Sequence, residues 1–234
     1  MPVPTRRGRP RILGVHQAVV ATLILLRCNV SQATLADLLG VSQPTISRVF
    51  VRYTRLVQQA LAAHVPPLPE VLRSRVVLLD GTLVPTGNRT GQQHLYSGKR
   101  HRAGVSVQVL ASLDGRLLAV SGPVPGSTHD RAALHRTGWE DLLSHTPVIG
   151  DAAYRGTTVI TPARKPPRGR LSPAGKHYNR EFAALRAAVE RAIAHLKNWK
   201  ILATGYRNPL VDLPRIIQTV TALEFFRLNW TPYE

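Results

Sequence analysis

Two aspartates in this sequence sit in matched surroundings, Leu78-Leu79-Asp80-Gly81-Thr82 and Val148-Ile149-Gly150-Asp151-Ala152-Ala153-Tyr154. In each, a short apolar run gives way to small residues at the acid, as in a buried strand that ends on a carboxylate. Carboxylates are hard oxygen donors suited to Mg2+ or Mn2+. Two such ions, about 3.5 to 4 Å apart, serve phosphodiester chemistry: one activates water or a 3′-hydroxyl and the other stabilises the leaving oxygen. A lone aspartate at a strand end is more often a turn or cap residue, but two in matched contexts on neighbouring parallel strands would converge. Glu190 is the third candidate ligand. It lies on a helix whose apolar positions Phe182, Leu185, Val189, Ile193 and Leu196 mark a buried stripe, against the ordinary alternative of a solvated helical glutamate.

Thirteen acidic residues face thirty-one Lys and Arg, for a formal net charge of +18. That imbalance points to a polyanionic partner, with nucleic acid first. A single cysteine, Cys28, excludes an internal disulfide and a Cys-rich zinc site. Arg6, Arg7, Arg9 and Arg11 before the apolar run from Ala18 to Leu26 superficially resemble a secretion signal. The run is short, ends at Arg27 and leads into a segment that needs it as a packing helix. No stretch reaches the roughly 20 apolar residues that span a bilayer, so no membrane partner is expected.

The elements that must position the acids follow from periodicity and punctuation. Residues 15 to 27 read as a helix, Ser31 as the N-cap of a second through Leu39, and Gly40 as the turn. Ser42 would cap a third helix carrying Ile46, Val49, Phe50, Tyr53 and Val57 at helical spacing, with Pro44 in its first turn. The stretch Leu35 to Arg48 resembles a helix-turn-helix, against the plainer reading of an ordinary helical hairpin. In it Ser42, Gln43, Thr45 and Arg48 would meet base edges, while Arg52 and Arg55 would meet phosphates. Consecutive prolines after His64 read as a stiff linker. The expected division is a DNA-binding unit at 1–63, a linker at 64–72 and a catalytic unit at 73–234.

In that last unit a strand from Arg75 ends at Asp80, a second runs from Gly104 to Ser112, and Asp114-Gly115 turns the chain into a third from Arg116 to Val120. A helix from about Asp130 to Leu143, a strand from Pro147 to Ile149 and a helix from about Asn179 to Lys197 follow. Three strands, helix, strand, helix is the order of a ribonuclease-H-like fold. The fold class is therefore α/β, a ribonuclease-H-like mixed sheet flanked by helices, with an N-terminal all-α helix-turn-helix domain.

Four ordered blocks carry a family resemblance: Asp80-Gly-Thr, Gly126-Ser-Thr-His-Asp130, Gly150-Asp-Ala-Ala-Tyr-Arg155 and Val189-Glu-Arg-Ala-Ile-Ala-His-Leu-Lys197. Over roughly residues 30 to 230 the chain resembles the DDE superfamily endonucleases, and within them the IS5-like, Harbinger-related insertion-sequence transposases. The resemblance implies that Asp80, Asp151 and Glu190 bind two Mg2+ or Mn2+ ions. It also implies that double-stranded DNA, at element ends and at the target, is the substrate, with strand cleavage freeing a 3′-hydroxyl that attacks target DNA. Synapsis of two ends implies a homodimer or higher oligomer at work, and the setting implied is the bacterial cytoplasm, associated with the nucleoid. The related IS4-type signature adds Arg186 and Lys197, which at 100° per residue share a polar stripe with Glu190 and would hold phosphates. The tyrosine of that signature is Ala183 here, with Tyr178 and Tyr154 as possible substitutes.

Asp130 reads as the N-cap of the following helix or as an outer partner of the metal ligands, with direct metal contact as the alternative, and His129 as a structural residue or phosphate contact. Lys99, Arg100 and Arg102, and the basic run Arg164 to Arg170, suit loops that track a DNA backbone. Trp199 is either a stacking platform for an unpaired base or a core residue. Two other readings share these residues: a non-catalytic or domesticated DNA-binding protein descended from a transposase, and a nuclease without strand transfer.

Overall fold

The computed structural model describes residues 12–73, 75–87 and 89–229. The N-terminal arginines at 6, 7, 9 and 11 lie outside the described residues. Three helices come first: α1 (Val15–Cys28), α2 (Gln32–Leu38) and α3 (Gln43–Ala60). Ser31 caps α2 by accepting the backbone N–H of Thr34, and Gly40 makes the turn at φ +63°, a conformation that costs glycine no steric strain. Ser42 occupies the N-cap of α3, but its hydroxyl pairs with that of Thr45 instead of capping a backbone N–H.

Within the expected linker the chain forms a helical turn, α4 (Leu68–Leu72), and buries Val71. The proline at the second position of that turn needs no N–H partner, so it starts the turn instead of preventing it. The strands are β1 (Val77–Pro85), β2 (Tyr96–Ser97), β3 (Arg102–Ala111), β4 (Leu117–Val120) and β5 (Val124–Pro125). Next come α5 (Asp130–Arg136), α6 (Trp139–Leu142), β6 (Val148–Gly150), α7 (Pro173–Lys197) and α8 (Leu213–Asn229). β1 pairs antiparallel with β3 and parallel with β6, and β4 and β5 both pair with β3. A mixed sheet flanked by helices, preceded by a helical N-terminal region, is the expected class.

Period-two alternation sorts the side chains of the sheet between two layers. Leu78, Val84, Val105, Val107 and Val109 share one core with Val189, Ala192 and Leu196 of α7 and with Ile216, Ile217 and Val220 of α8. Val77, Leu79, Leu110 and Val148 face the other way, against Leu134, Trp139 and Tyr154. The first core also takes in Leu25, Leu26, Leu35, Ile46 and Phe50, so the N-terminal helices pack on the same apolar mass as the sheet.

Several expectations need correction. The first strand does not end at Asp80 but runs on to Pro85, because β3 pairs with it as far as Pro85↔Gly104. What ends near Asp80 is the parallel partner, whose last pair is Leu79↔Gly150. The helix expected from Asp130 to Leu143 is broken at Gly138, which takes φ +71°. α7 starts six residues before Asn179, capped by the Ser172 hydroxyl on the N–H of Gly175. Its buried face comprises Phe182, Ala188, Val189, Ala192 and Leu196, while Leu185 is exposed.

Ile46 of α3 is fully buried in the shared core. Ile46→Ala should lower stability by about 2 to 5 kcal/mol, measured by urea unfolding. A single cooperative transition is expected, because one core spans both regions.

Candidate active site

The end of β6 leaves an open step beside β1, and the acids collect there. Asp80 extends from β1 toward α7, where the Arg186 guanidinium meets its Oδ2 at 3.3 Å. Its Oδ1 accepts the backbone N–H of Gly81 at 2.9 Å. Asp151 follows β6 directly and caps a helical turn by accepting the N–H of Ala153. Asp130 approaches from the opposite side of the sheet, at the first position of α5, with exposed His129 as the N-cap. The reading of Asp130 as the cap is therefore corrected: its carboxylate is turned into the site instead. The Lys99 ammonium lies 3.2 Å from Asp130 Oδ2 and 3.9 Å from Asp151 Oδ2, bridging the two.

Gly81 is what lets Asp130 in. A Cβ there would meet Asp130 Oδ1 at 2.6 Å, so the Asp130 carboxylate would have to move away from its present place. Burial raises the Asp80 pKa above its ordinary value. Arg186 and the Gly81 N–H oppose that rise, and the neighbouring charges of Asp151 and Asp130 add to it. Under this cluster Tyr154 is fully buried and donates its hydroxyl to Gln108 Oε1. Its own pKa is pushed well up, by burial first and then by Asp130, Asp80 and Asp151.

Cations surround the acids. The Lys197 ammonium donates to the Leu83 carbonyl at 2.9 Å, and its pKa is lowered by burial, with Arg100 and Arg102 contributing. Arg186 and Lys197 of α7 thus both bind β1, as their shared stripe required. Glu190 stands one turn after Arg186 on the same helix; it is exposed and makes no hydrogen bond or ion pair among the described residues. A cavity of about 250 Å³ opens beside the acids, bounded by Gly81, Ser97, Lys99, Arg100, Ser127 and Asp130.

The donor set fits a hard divalent cation: hard carboxylate oxygens converge here, the charges of Asp151 and Asp130 reach Asp80, and a protein cation is already drawn between Asp130 and Asp151. Among the described residues no three His, Cys, Asp or Glu side chains yet stand close enough to share an ion.

In the helix-turn-helix, Ser42, Gln43, Arg48, Arg52 and Arg55 are exposed and Thr45 is half-buried. Gln43 donates to Gln32 at 2.7 Å and Arg48 to the Pro44 carbonyl at 3.1 Å. Trp199 is a core residue: it is buried, donates Nε1 to Glu224 at 3.2 Å and lies under the Arg27 guanidinium. Of the possible tyrosine substitutes, Tyr154 lies beneath the acids, whereas Tyr178 is exposed and packs on Phe182. Sequence reasoning missed Gln108, whose signal was one amide in a strand of otherwise apolar and small residues.

The chain belongs to the DDE superfamily endonucleases, whose family model matches residues 79–224. The helix-turn-helix model of the same superfamily matches residues 11–63. It is 30% identical over 200 residues to a putative transposase for insertion sequence element IS112 from Streptomyces albus G, covering 84% of this chain and 74% of that protein. It is 28% identical over 181 residues to a probable transposase for element IS702 from Microchaete diplosiphon, covering 72% of this chain and 64% of that one. Among the described residues no helix is long and apolar enough to cross a membrane.

The Asp80 environment makes a thermodynamic prediction. A carboxyl whose pKa rises on folding destabilises the native state above its folded pKa, and the penalty vanishes below the ordinary value of 3.8. Asp80→Asn should therefore raise Tm near neutral pH, and the gain should shrink as pH falls toward that value. Thermal melts across that range check it; a Tm lowered at neutral pH would contradict the burial argument.

Proposed function

We propose that this protein is a DNA transposase that cleaves insertion-element ends with a two-metal carboxylate site and joins the freed 3′-hydroxyl to target DNA. The observation that carries this reading is the placing of Asp80 on β1 and Asp151 just after its parallel neighbour β6, each paired with a cation, Arg186 and Lys99. A dense positive rim draws in the phosphate backbone, while the acids at its centre are left to bind a counter-ion of their own. The relatives' description as insertion-sequence transposases supports the same reading.

Asp80, Asp151 and Glu190 would hold the Mg2+ or Mn2+ ions, which would activate the attacking oxygen and stabilise the leaving one. Arg186 and Lys197 are fixed against β1 by Asp80 and by the Leu83 carbonyl. They need little reordering to hold a scissile phosphate. Lys99, Arg100 and Arg102 would grip the strand from the loop side. Ser42, Gln43, Thr45 and Arg48 would read element ends in the major groove, with Arg52 and Arg55 on the flanking phosphates. Bringing two ends together calls for at least a dimer.

Incubation with Mg2+ or Mn2+ and labelled DNA carrying the flanking inverted repeats should give metal-dependent nicks that Asp151→Asn abolishes. Absence of nicking by the wild type, or equal nicking by the variant, would overturn the assignment. Arg48→Ala should cost about 1 to 3 kcal/mol in end binding, read by fluorescence anisotropy at fixed salt, and should leave binding to unrelated DNA much less affected.

A further inference from the structure

We infer that Gln108 is a positioning residue for the acidic site, acting on it through Asp130; this rests on the metal-dependent reading above. Gln108 lies in the middle of β3, opposite Gly81 in the register, and is fully buried. Every other polar group it carries is engaged. Its backbone N–H donates to the Ser121 hydroxyl at 2.9 Å and its carbonyl accepts the Ser121 N–H at 2.9 Å. Its Oε1 accepts the Tyr154 hydroxyl. Only Nε2 has no partner.

A buried amide donor left unpaired is costly, and such groups in folded proteins call for an explanation. The direction of this one supplies it. Tyr154 takes the oxygen end of the amide, which turns the nitrogen end toward Gly81. A Cβ on Gly81 would lie 3.5 Å from Gln108 Nε2 and 2.6 Å from Asp130 Oδ1, so both groups occupy the space its missing side chain leaves. Asp130 Oδ2 is meanwhile held by Lys99, which also reaches Asp151. When Lys99 gives way to a metal ion, the Asp130 carboxylate loses its partner. The Gln108 amide is then a buried donor facing the same gap, placed to hold Oδ1 and so keep the Asp130 carboxylate turned into the site. Tyr154 sets which way the amide points, Gln108 sets where Asp130 sits, and Gly81 leaves the space for both.

Mn2+ binding to the full chain without DNA, read by electron paramagnetic resonance of the free ion, tests this separately from catalysis. Gln108→Met keeps the volume and removes the donor; Asp130→Asn removes the carboxylate charge. Each should weaken Mn2+ binding by about 10- to 100-fold, the range for removing an outer partner of a metal ligand. The double variant should bind no more weakly than Asp130→Asn alone, because Gln108 acts through Asp130. Gly81→Ala, which drives a methyl into Asp130 Oδ1 from the other side, should weaken binding similarly and provides the test if Gln108→Met fails to fold. Affinity within twofold of wild type in folded Gln108→Met, or losses that add in the double variant, would overturn the positioning role while leaving the metal reading intact. Wild-type protein that binds no Mn2+, or binding untouched by Asp80→Asn, would overturn the metal reading and this inference with it.

Discussion

The burial of the Asp80 carboxylate, with Asp151 and Asp130 beside it, is the constraint around which the rest of this structure is arranged. Burial opposes the ionisation of Asp80, and the charges of Asp151 and Asp130 add to that opposition. A chain selected for stability alone would separate them or replace one. Here they are held by elements that cannot easily give way: a central strand paired on both sides, the end of its parallel neighbour and the first turn of α5. Two cations compensate in part, Arg186 from one layer and Lys99 from a loop. Arg186 is half-buried and Lys99 exposed, so the first is part of the scaffold and the second is free to depart. In the proposed reading a divalent ion would offset the charge that burial disfavours at Asp80.

The surrounding charge follows from the same constraint. With +18 overall, most of the surface favours a polyanion, and the acids form an island within it. Burial lowers the Lys197 pKa, and the neighbouring charges of Arg100 and Arg102 add to the effect. Arg100 and Lys99 line the same cavity as Asp130, so cations and acids stand side by side there. The shared core, which ties α1–α3 to the sheet and to α8, keeps the helix-turn-helix on the same rigid body as the acids.

Much of this was legible in the sequence because it depends on local pattern. Alternating valines gave β3, Asp114-Gly115 gave its hairpin, and apolar runs ending at Asp80 and Asp151 gave two parallel strands. The extent of β1 beyond Asp80 was hidden, since it depends on a pairing partner twenty and more residues away and not on its own residues. The break at Gly138 was visible only as a glycine, which helices also tolerate. The start of α7 lay in a stretch rich in Gly and Pro that reads as loop until Ser172 is seen capping it. α8 went unread because its long apolar run, buried on most sides, lacks a clear stripe. At the site, Asp80 and Asp151 were legible as acids that close apolar runs, although only the strand before Asp151 ends there. The inward turn of Asp130 was not, because it depends on Gly81 and Lys99, residues brought near only by the fold.

The most direct measurement is the anomalous scattering of crystals of this protein soaked in Mn2+. The account predicts a peak between Asp80 and Asp151, with Lys99 displaced from its bridge to Asp130. A peak elsewhere on the molecule, or a Lys99 bridge unchanged in crystals saturated with Mn2+, would contradict it.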